Sequence, residues 1–301
     1  MNPRRDGGRP CLSRARRRRW CAVVGFALAG WAGAGEKSDA PAPGNASSST
    51  PPPVLRVATL NLNYGNDSLK EKTELLRTCG ADVIALQESN AESEAHFRRE
   101  LKEPYPHIYF NQPKSRVDGF AFLSKMKLSN LQRFEPPKEG FFPSFSVEVE
   151  VEGRTVQILN LHLQAYCPQP GDGFREILKG LENMEAIHAA EMENLARHIK
   201  PGKPVIILGD LNSLPGMRAP VFLTRKGFTD SFASVNRQEP RTTTWKWNWR
   251  GIPLAFCFDY LFHGPEFETV ESRVLPAEGS DHAMVLSALR WKRKEEPEKP
   301  K

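Results

Sequence analysis

Short apolar runs alternate with helix-like stretches along most of this chain. Val54 to Leu62 (VLRVATLNL) alternates and is rich in β-branched residues, which predicts a strand. Asp67 to Thr78 reads as a helix that Gly80 ends. Asp82 to Gln87 (DVIALQ) is a continuous apolar run of the kind buried on both faces of a sheet. Ser144 to Glu152, Thr155 to Leu163 and Pro204 to Leu208 predict further strands. Between the last two, Ile177, Leu178, Leu181, Met184 and Ile187 recur at helical spacing within Phe174 to Ile199. Phe256 to Phe262 and Ala283 to Arg290 complete the strands. Strands outnumber helices and several follow one another directly. That mixture predicts an α/β chain of the mixed α+β kind, with a pair of mixed sheets covered by helices, and not a simple doubly wound sheet. The chain shows no internal repeat of a solenoid period.

The pattern stops at both ends. Residues 35–53 carry five prolines and almost no apolar side chains, so burial cannot offset their ordering entropy and a flexible linker is expected. Ahead of it, residues 1–34 have the three parts of an export signal: a basic stretch from Arg14 to Arg19, the apolar run WCAVVGFALAGWAGA, and Ala32-Gly33-Ala34 as a cleavage site. The run is shorter than the ~20 residues a membrane span needs, so a cleaved signal is expected and an uncleaved anchor is the competing reading. The arginines before Trp20 resemble a twin-arginine signal, which implies a periplasmic or secreted protein. One domain, residues 54–291, then precedes a charged tail at 292–301.

Charge and cysteine content change the picture little. The net charge of +6 includes eight arginines and one acid in residues 1–34, so the remainder carries −1. Bulk electrostatics therefore gives no support for a polyanionic partner. Cleavage would leave Cys79, Cys167 and Cys257, which allow one disulfide at most and show no Cys-x-x-Cys spacing. Small buried hydrophobes are the expected role for all three.

The polar residues that end the apolar runs carry the chemistry. Asn61 and Asn63 end the first strand, and Gln87 and Glu88 the second. His162 interrupts ILNLHL, Asp210 and Asn212 follow VIILG, Asp259 sits in FCFDYLF, and Asp281 with His282 lies in GSDHAMV. Any one of these is ordinarily a turn former, a helix cap or a structural histidine. Six in order, each at a strand end, point to groups needed together, because strand ends converge on one rim. Carboxylate, amide and imidazole groups together suit metal-assisted phosphoester hydrolysis. An oxygen-rich set favours Mg²⁺, with Mn²⁺ as a substitute, and too few His and Cys cluster for zinc.

In order, TLNLN, ALQE, LNLHL, GDLNSLP, FDYLF and GSDHAMV resemble the motifs of the endonuclease/exonuclease/phosphatase superfamily, over Val54 to Arg290. The resemblance implies a four-layered α/β sandwich. It implies Glu88 as the principal metal ligand helped by Asn61, and Asp281 as a second metal-site carboxylate. It also implies that Asp210 aligns or deprotonates the attacking water and that Asn212 holds the phosphate. His282 is implied to contact the scissile phosphate with Asp259 orienting it, and His162 to be the other phosphate-facing residue. A histidine at 162 is similar to the deoxyribonuclease I, sphingomyelinase and phosphatase branches; the exonuclease III branch has tyrosine there. Two positions depart from the pattern: Asn63 stands where some nucleases have aspartate, and Glu191 lies in HAAEMENL where many members have an Arg and Gln pair.

Two segments stay open on sequence grounds. Trp245, Trp247 and Trp249 alternate in WKWNWR and would share one face of a strand, either packed against the sandwich or presented as a platform for bases or lipid. Lys114 and Arg116 lie in a polar loop, as solvated charges or substrate contacts. The expectation is an exported, monomeric, metal-dependent phosphodiesterase without a stable membrane anchor, an endonuclease on nucleic acid. A lipid phosphodiesterase or phosphomonoesterase is the alternative within the superfamily, and a decayed binding protein the alternative outside it.

Overall fold

The computed structural model describes residues 54–65, 67–111, 115, 117–167, 169, 171–237, 242–249 and 252–292, with the backbone alone at 249 and 252. Residues 1–34, expected to be an export signal, residues 35–53, expected to be a linker, Lys114, Arg116 and residues 293–301 lie outside the described residues.

The chain begins with β1 (Leu55–Asn61), α1 (Leu69–Thr78), β2 (Val83–Gln87), α2 (Ala91–Glu100), β3 (His107–Phe110) and β4 (Phe120–Ser124). It continues through β5 (Ser129–Phe134), β6 (Ser144–Val151), β7 (Arg154–His162), α3 (Phe174–Ala196), β8 (Val205–Asp210), α4 (Arg218–Arg225), β9 (Thr229–Asp230) and α5 (Ser231–Val235). It closes with β10 (Trp245–Trp249), β11 (Ile252–Phe256), β12 (Asp259–His263), β13 (Phe267–Pro276) and β14 (Ala283–Trp291). Two six-stranded sheets form, in the orders β13-β14-β1-β2-β4-β3 and β5-β6-β7-β8-β12-β9, with β10-β11 as a separate hairpin. Both are mixed: β1 runs parallel to β2, and β7 parallel to β8, among antiparallel neighbours.

Period-two alternation sets the layers. Leu55, Val57, Val83 and Ala85 of the first sheet meet Val156, Ile158, Ile206, Leu208 and Leu261 of the second in the central core. The opposite face of the first sheet (Ala58, Leu60, Ile84, Leu86) packs on Leu76 of α1 and Phe97 of α2. The opposite face of the second (Leu159, Leu161, Ile207) packs on Met192 and Leu195 of α3 and Leu223 of α4. Three apolar seams between four layers make this the expected sandwich.

The sequence pattern does not predict β3, β4, β5, β9, β13, α4 or α5, and three further details differ from expectation. The single strand expected at Phe256 to Phe262 is two, β11 and β12, because the Thr244 hydroxyl accepts the Phe258 and Asp259 N–H groups (2.9 Å each) and turns the chain between sheets. Helix α2 has Phe97 and Ser93 as its buried residues, so its sequence carries little periodicity, and its Asn90 capping box marks its start. Cys79, Cys167 and Cys257 form no disulfide among the described residues and are half-buried, not fully buried.

Candidate active site

The same parity that fills the central core delivers the polar residues. On β1, Leu55 and Val57 face inward, and two steps at a time the face continues through Thr59 to Asn61. By the same count Gln87 extends Val83 and Ala85, His162 extends Ile158, Asp210 extends Ile206 and Leu208, and Asp259 precedes Leu261. Register then aligns them: His162 pairs with Asp210 and Asp210 with Asp259 across β7-β8-β12, while Asn61 pairs with Gln87 across β1-β2. Gly209 allows the first pairing. Its φ is +138°, and a Cβ there would lie 2.0 Å from the Leu161 carbonyl oxygen, so only glycine fits where β8 crosses β7.

Asp210 is the centre of the site. It is 1% exposed. Its Oδ1 accepts the Asn212 N–H (2.9 Å), and its Oδ2 accepts the Asn61 amide (3.0 Å). The same Oδ2 lies 3.6 Å from both His162 Nε2 and His282 Nε2. Burial chiefly raises the Asp210 carboxyl; His282 opposes and Asp259 adds to the rise, leaving it at about 7.

His282 is fixed from behind, its Nδ1 2.8 Å from Asp259 Oδ2. Burial disfavours its charge, but Asp259 and Asp210 outweigh that and raise it to about 10, so imidazolium is the form at neutral pH. Its Nδ1 therefore carries the proton donated to Asp259. The backbone is set by Ser280, whose hydroxyl accepts the His282 N–H (3.0 Å) and donates to the Asn61 carbonyl (2.7 Å). His162 is 3% exposed and lies flat on Phe142, with ring centroids 3.9 Å apart.

Glu88 completes the inner group. It takes the Asn61 amide on Oε1 (3.2 Å) and the Tyr64 N–H on Oε2 (3.1 Å). Its φ is +54°, a left-handed conformation that costs a non-glycine residue about 1 kcal/mol or more and is retained where a side chain must be aimed. Asp281 sits at the edge, half-buried, holding the Asn63 amide (3.1 Å) and the Trp245 indole N–H (3.1 Å). The Asn212 side chain turns away from the centre to the Leu163 carbonyl (3.0 Å).

Ligand-type atoms of Asp210, Asp259 and His282 lie within 4.8 Å of one another. A protonated imidazole has no lone pair to give a metal, so this trio is better suited to proton and charge management than to a cation cage. The hard oxygens of Glu88 and Asp281 are tied to a single segment, Asn61 to Tyr64, and their chemistry fits a Mg²⁺-type ion.

Sequence reasoning missed a layer beneath the site. Asn160, inward-facing like His162, accepts the Gln87 amide (2.7 Å) and donates to the Leu86 and Ala121 carbonyls (3.1 and 3.3 Å), joining the two sheets. Its place two residues before His162 was the available signal. Lys72 of α1 was missed as well. Glu191 is 5% exposed in a crevice shared with His162 and Phe142, and burial raises its carboxyl to about 7. Trp245 and Trp247 stack in parallel, centroids 6.4 Å apart, half-buried on the β10-β11 hairpin, while Lys246 is exposed on its other face.

A model of the Endonuclease/Exonuclease/phosphatase family matches residues 58–282, from β1 to His282. The chain belongs to this family. Its kinship makes it a hydrolase of phosphoester bonds at the superfamily level. Among solved structures, D. rerio TDP2 complexed with single strand DNA product superposes with a TM-score of 0.63 at 16% identity, covering 78% of this chain and 98% of that one. The human Nocturnin catalytic domain with bound sulfate anion gives 0.57 at 17%, covering 80% and 94%. An endonuclease/exonuclease/phosphatase from Beutenbergia cavernae gives 0.56 at 19%, covering 79% and 71%. At such identities the likeness speaks for the family's fold alone. No curated protein sequence matches the chain.

Proposed function

We propose that this member of the family is a phosphodiesterase that works with a divalent cation, Mg²⁺ first and Mn²⁺ second, on nucleic acid. The observation that carries the reading is the Asp210 carboxylate held between the imidazoles of His162 and His282, the latter braced by Asp259. A carboxyl near pH 7 is suited to take a proton from water at neutral pH. Asp210 aligns and deprotonates the attacking water. The His282 cation and His162 face the phosphoryl oxygens, where negative charge grows in the transition state, and such fixed charges in a dry site supply the largest share of rate enhancement. Glu88, with Asp281 at the edge, would hold the cation, which when bound supplies further charge neutralisation at the phosphate.

Two facts favour nucleic acid. The D. rerio TDP2 structure of the same fold holds a single strand DNA product. In this chain the Trp245–Trp247 stack adjoins Asp281 through the Trp245 indole N–H, and Lys246 is exposed on the opposite face of the same hairpin. A lipid phosphodiesterase or phosphomonoesterase would use the same catalytic groups. We propose export as well, from the three-part signal in residues 1–34. Among the described residues no helix is long and apolar enough to cross a membrane.

The test is incubation of the protein and Mg²⁺ with plasmid DNA, single-stranded DNA, RNA, sphingomyelin and an inositol phosphate in parallel. Nicking or shortening of a nucleic acid, lost in EDTA, is expected. Hydrolysis of sphingomyelin or the inositol phosphate alone would reassign the substrate. Inertness toward all of them, with either metal, would overturn the reading.

A further inference from the structure

Helix α1 carries a lysine that the chemistry above does not use. Lys72 is 0% exposed, although a lysine buried to that extent is rare without compensating charge. Its Nζ donates to the Leu62 carbonyl (2.7 Å). Leu62 in turn donates its N–H to the Gln87 carbonyl (3.0 Å), next to Glu88.

Leu62 is the middle of the segment that grips the site's acids. On one side of it Asn61 holds Glu88 and Asp210 through its amide. On the other, the Asn63 amide holds Asp281 and the Tyr64 N–H holds Glu88. The ammonium therefore anchors a four-residue strap whose polar groups hold three carboxylates. Burial lowers the Lys72 pKa, while Asp67 first and then Asp281 and Glu88 act on it in the opposite direction, so two of the site's acids are among its electrostatic neighbours. His162 Nε2 also lies near Glu88, at 4.0 Å.

We propose that Lys72 is a built-in counter-ion of the acidic site: pinned to the Leu62 carbonyl, it offsets the charge of Glu88 and Asp281 and sets how tightly they take a divalent cation. This rests on the reading of that pair as the cation site. It makes Lys72 a positioning residue. The sign follows from Coulomb's law: a fixed positive charge beside an oxygen set weakens the binding of another cation, and removing it strengthens binding.

The experiment titrates Mg²⁺, and separately Mn²⁺, into the wild-type chain and the Lys72→Met, Lys72→Gln and Lys72→Arg variants by calorimetry, with melting curves in EDTA and in Mg²⁺. Lys72→Met and Lys72→Gln should bind the ion about tenfold more tightly and melt lower in EDTA, with a larger gain on adding Mg²⁺. Lys72→Arg should stay within about twofold of wild type, because it keeps the charge. Neutral variants that fold only once Mg²⁺ is added support the role equally. Unchanged or weaker binding in the neutral variants overturns it, as does a chain unfolded with and without the ion in both. If the wild-type chain takes neither ion, the cation reading itself falls and the inference with it.

Discussion

One oxygen of Asp210 faces Asn61, His162 and His282, so each of these residues is defined by what it does to that carboxylate. Burying Asp210 and Asp259 at 1% and 2% exposure costs solvation that packing does not return, and only one imidazolium, His282, bridges them. Such an arrangement is retained for chemistry. Because Asp259 acts through His282, Asp259→Asn should reproduce part of the loss of His282→Ala, which should itself lower turnover by ~10²-fold. The Asp259→Asn/His282→Ala double variant should be no worse than His282→Ala alone by more than about twofold, since the pair acts as a unit. Steady-state kinetics of the four proteins measure this, and fully multiplicative losses would mean that the two act separately. Lys72 and Asn160 show what sequence hides at this scale. A lysine on a helix reads as a solvated charge, and an asparagine between leucines reads as nothing in particular, until the neighbouring elements are in place.

Strands rather than helices carry the legible information. Period two puts Asn61, His162, Asp210 and Asp259 on the same faces as core residues two or four positions away, and those four do converge. What the strands could not reveal was their partners, because pairings such as β1 with β14 join residues more than two hundred positions apart. The weakly patterned α2 and the largely exposed edge strand β5 were invisible for the same reason: neither has an apolar face that announces itself. Asn160 ties the β7 element to β2, so Asn160→Leu should leave the Gln87 amide only the Thr59 hydroxyl (3.0 Å), take a donor from the Leu86 and Ala121 carbonyls, and cost ~1–3 kcal/mol in denaturant unfolding. A cost near zero would show that Gln87 finds other partners. In the middle of β6, burial alone would raise the Glu148 carboxyl, but Lys200 and Lys203, 2.7 and 2.8 Å away, outweigh it and hold it at about 2. A depressed acid stabilises the fold above its ordinary pKa of 4.5 and loses that contribution as pH falls toward 2. The melting temperature of wild type should therefore fall more steeply between those pH values than that of Glu148→Gln. Parallel curves would remove the ion pairs from the account.

At the scale of the whole molecule, the two sheets place their polar strand ends on one rim of a shared core, and the family match spans that same stretch, residues 58–282. The order of the six motifs was readable because each is local; the substrate was not, because it depends on loops and on the hairpin carrying Trp245 and Trp247, whose docking on Asp281 no local pattern encodes. The N-terminal pattern predicts that residues 1–34 are missing from the protein recovered from its native host, which intact-mass spectrometry decides; a chain retaining Met1 would contradict export by a cleaved signal. Whether Asp210 activates water at a cation-dependent phosphodiester site comes down to one comparison: kcat for the phosphodiester substrate in Mg²⁺, wild type against Asp210→Asn. The substitution keeps shape and removes charge. A folded variant whose kcat is lower by ~10²-fold or more, with KM little changed, is expected. A folded Asp210→Asn with near wild-type kcat would contradict it.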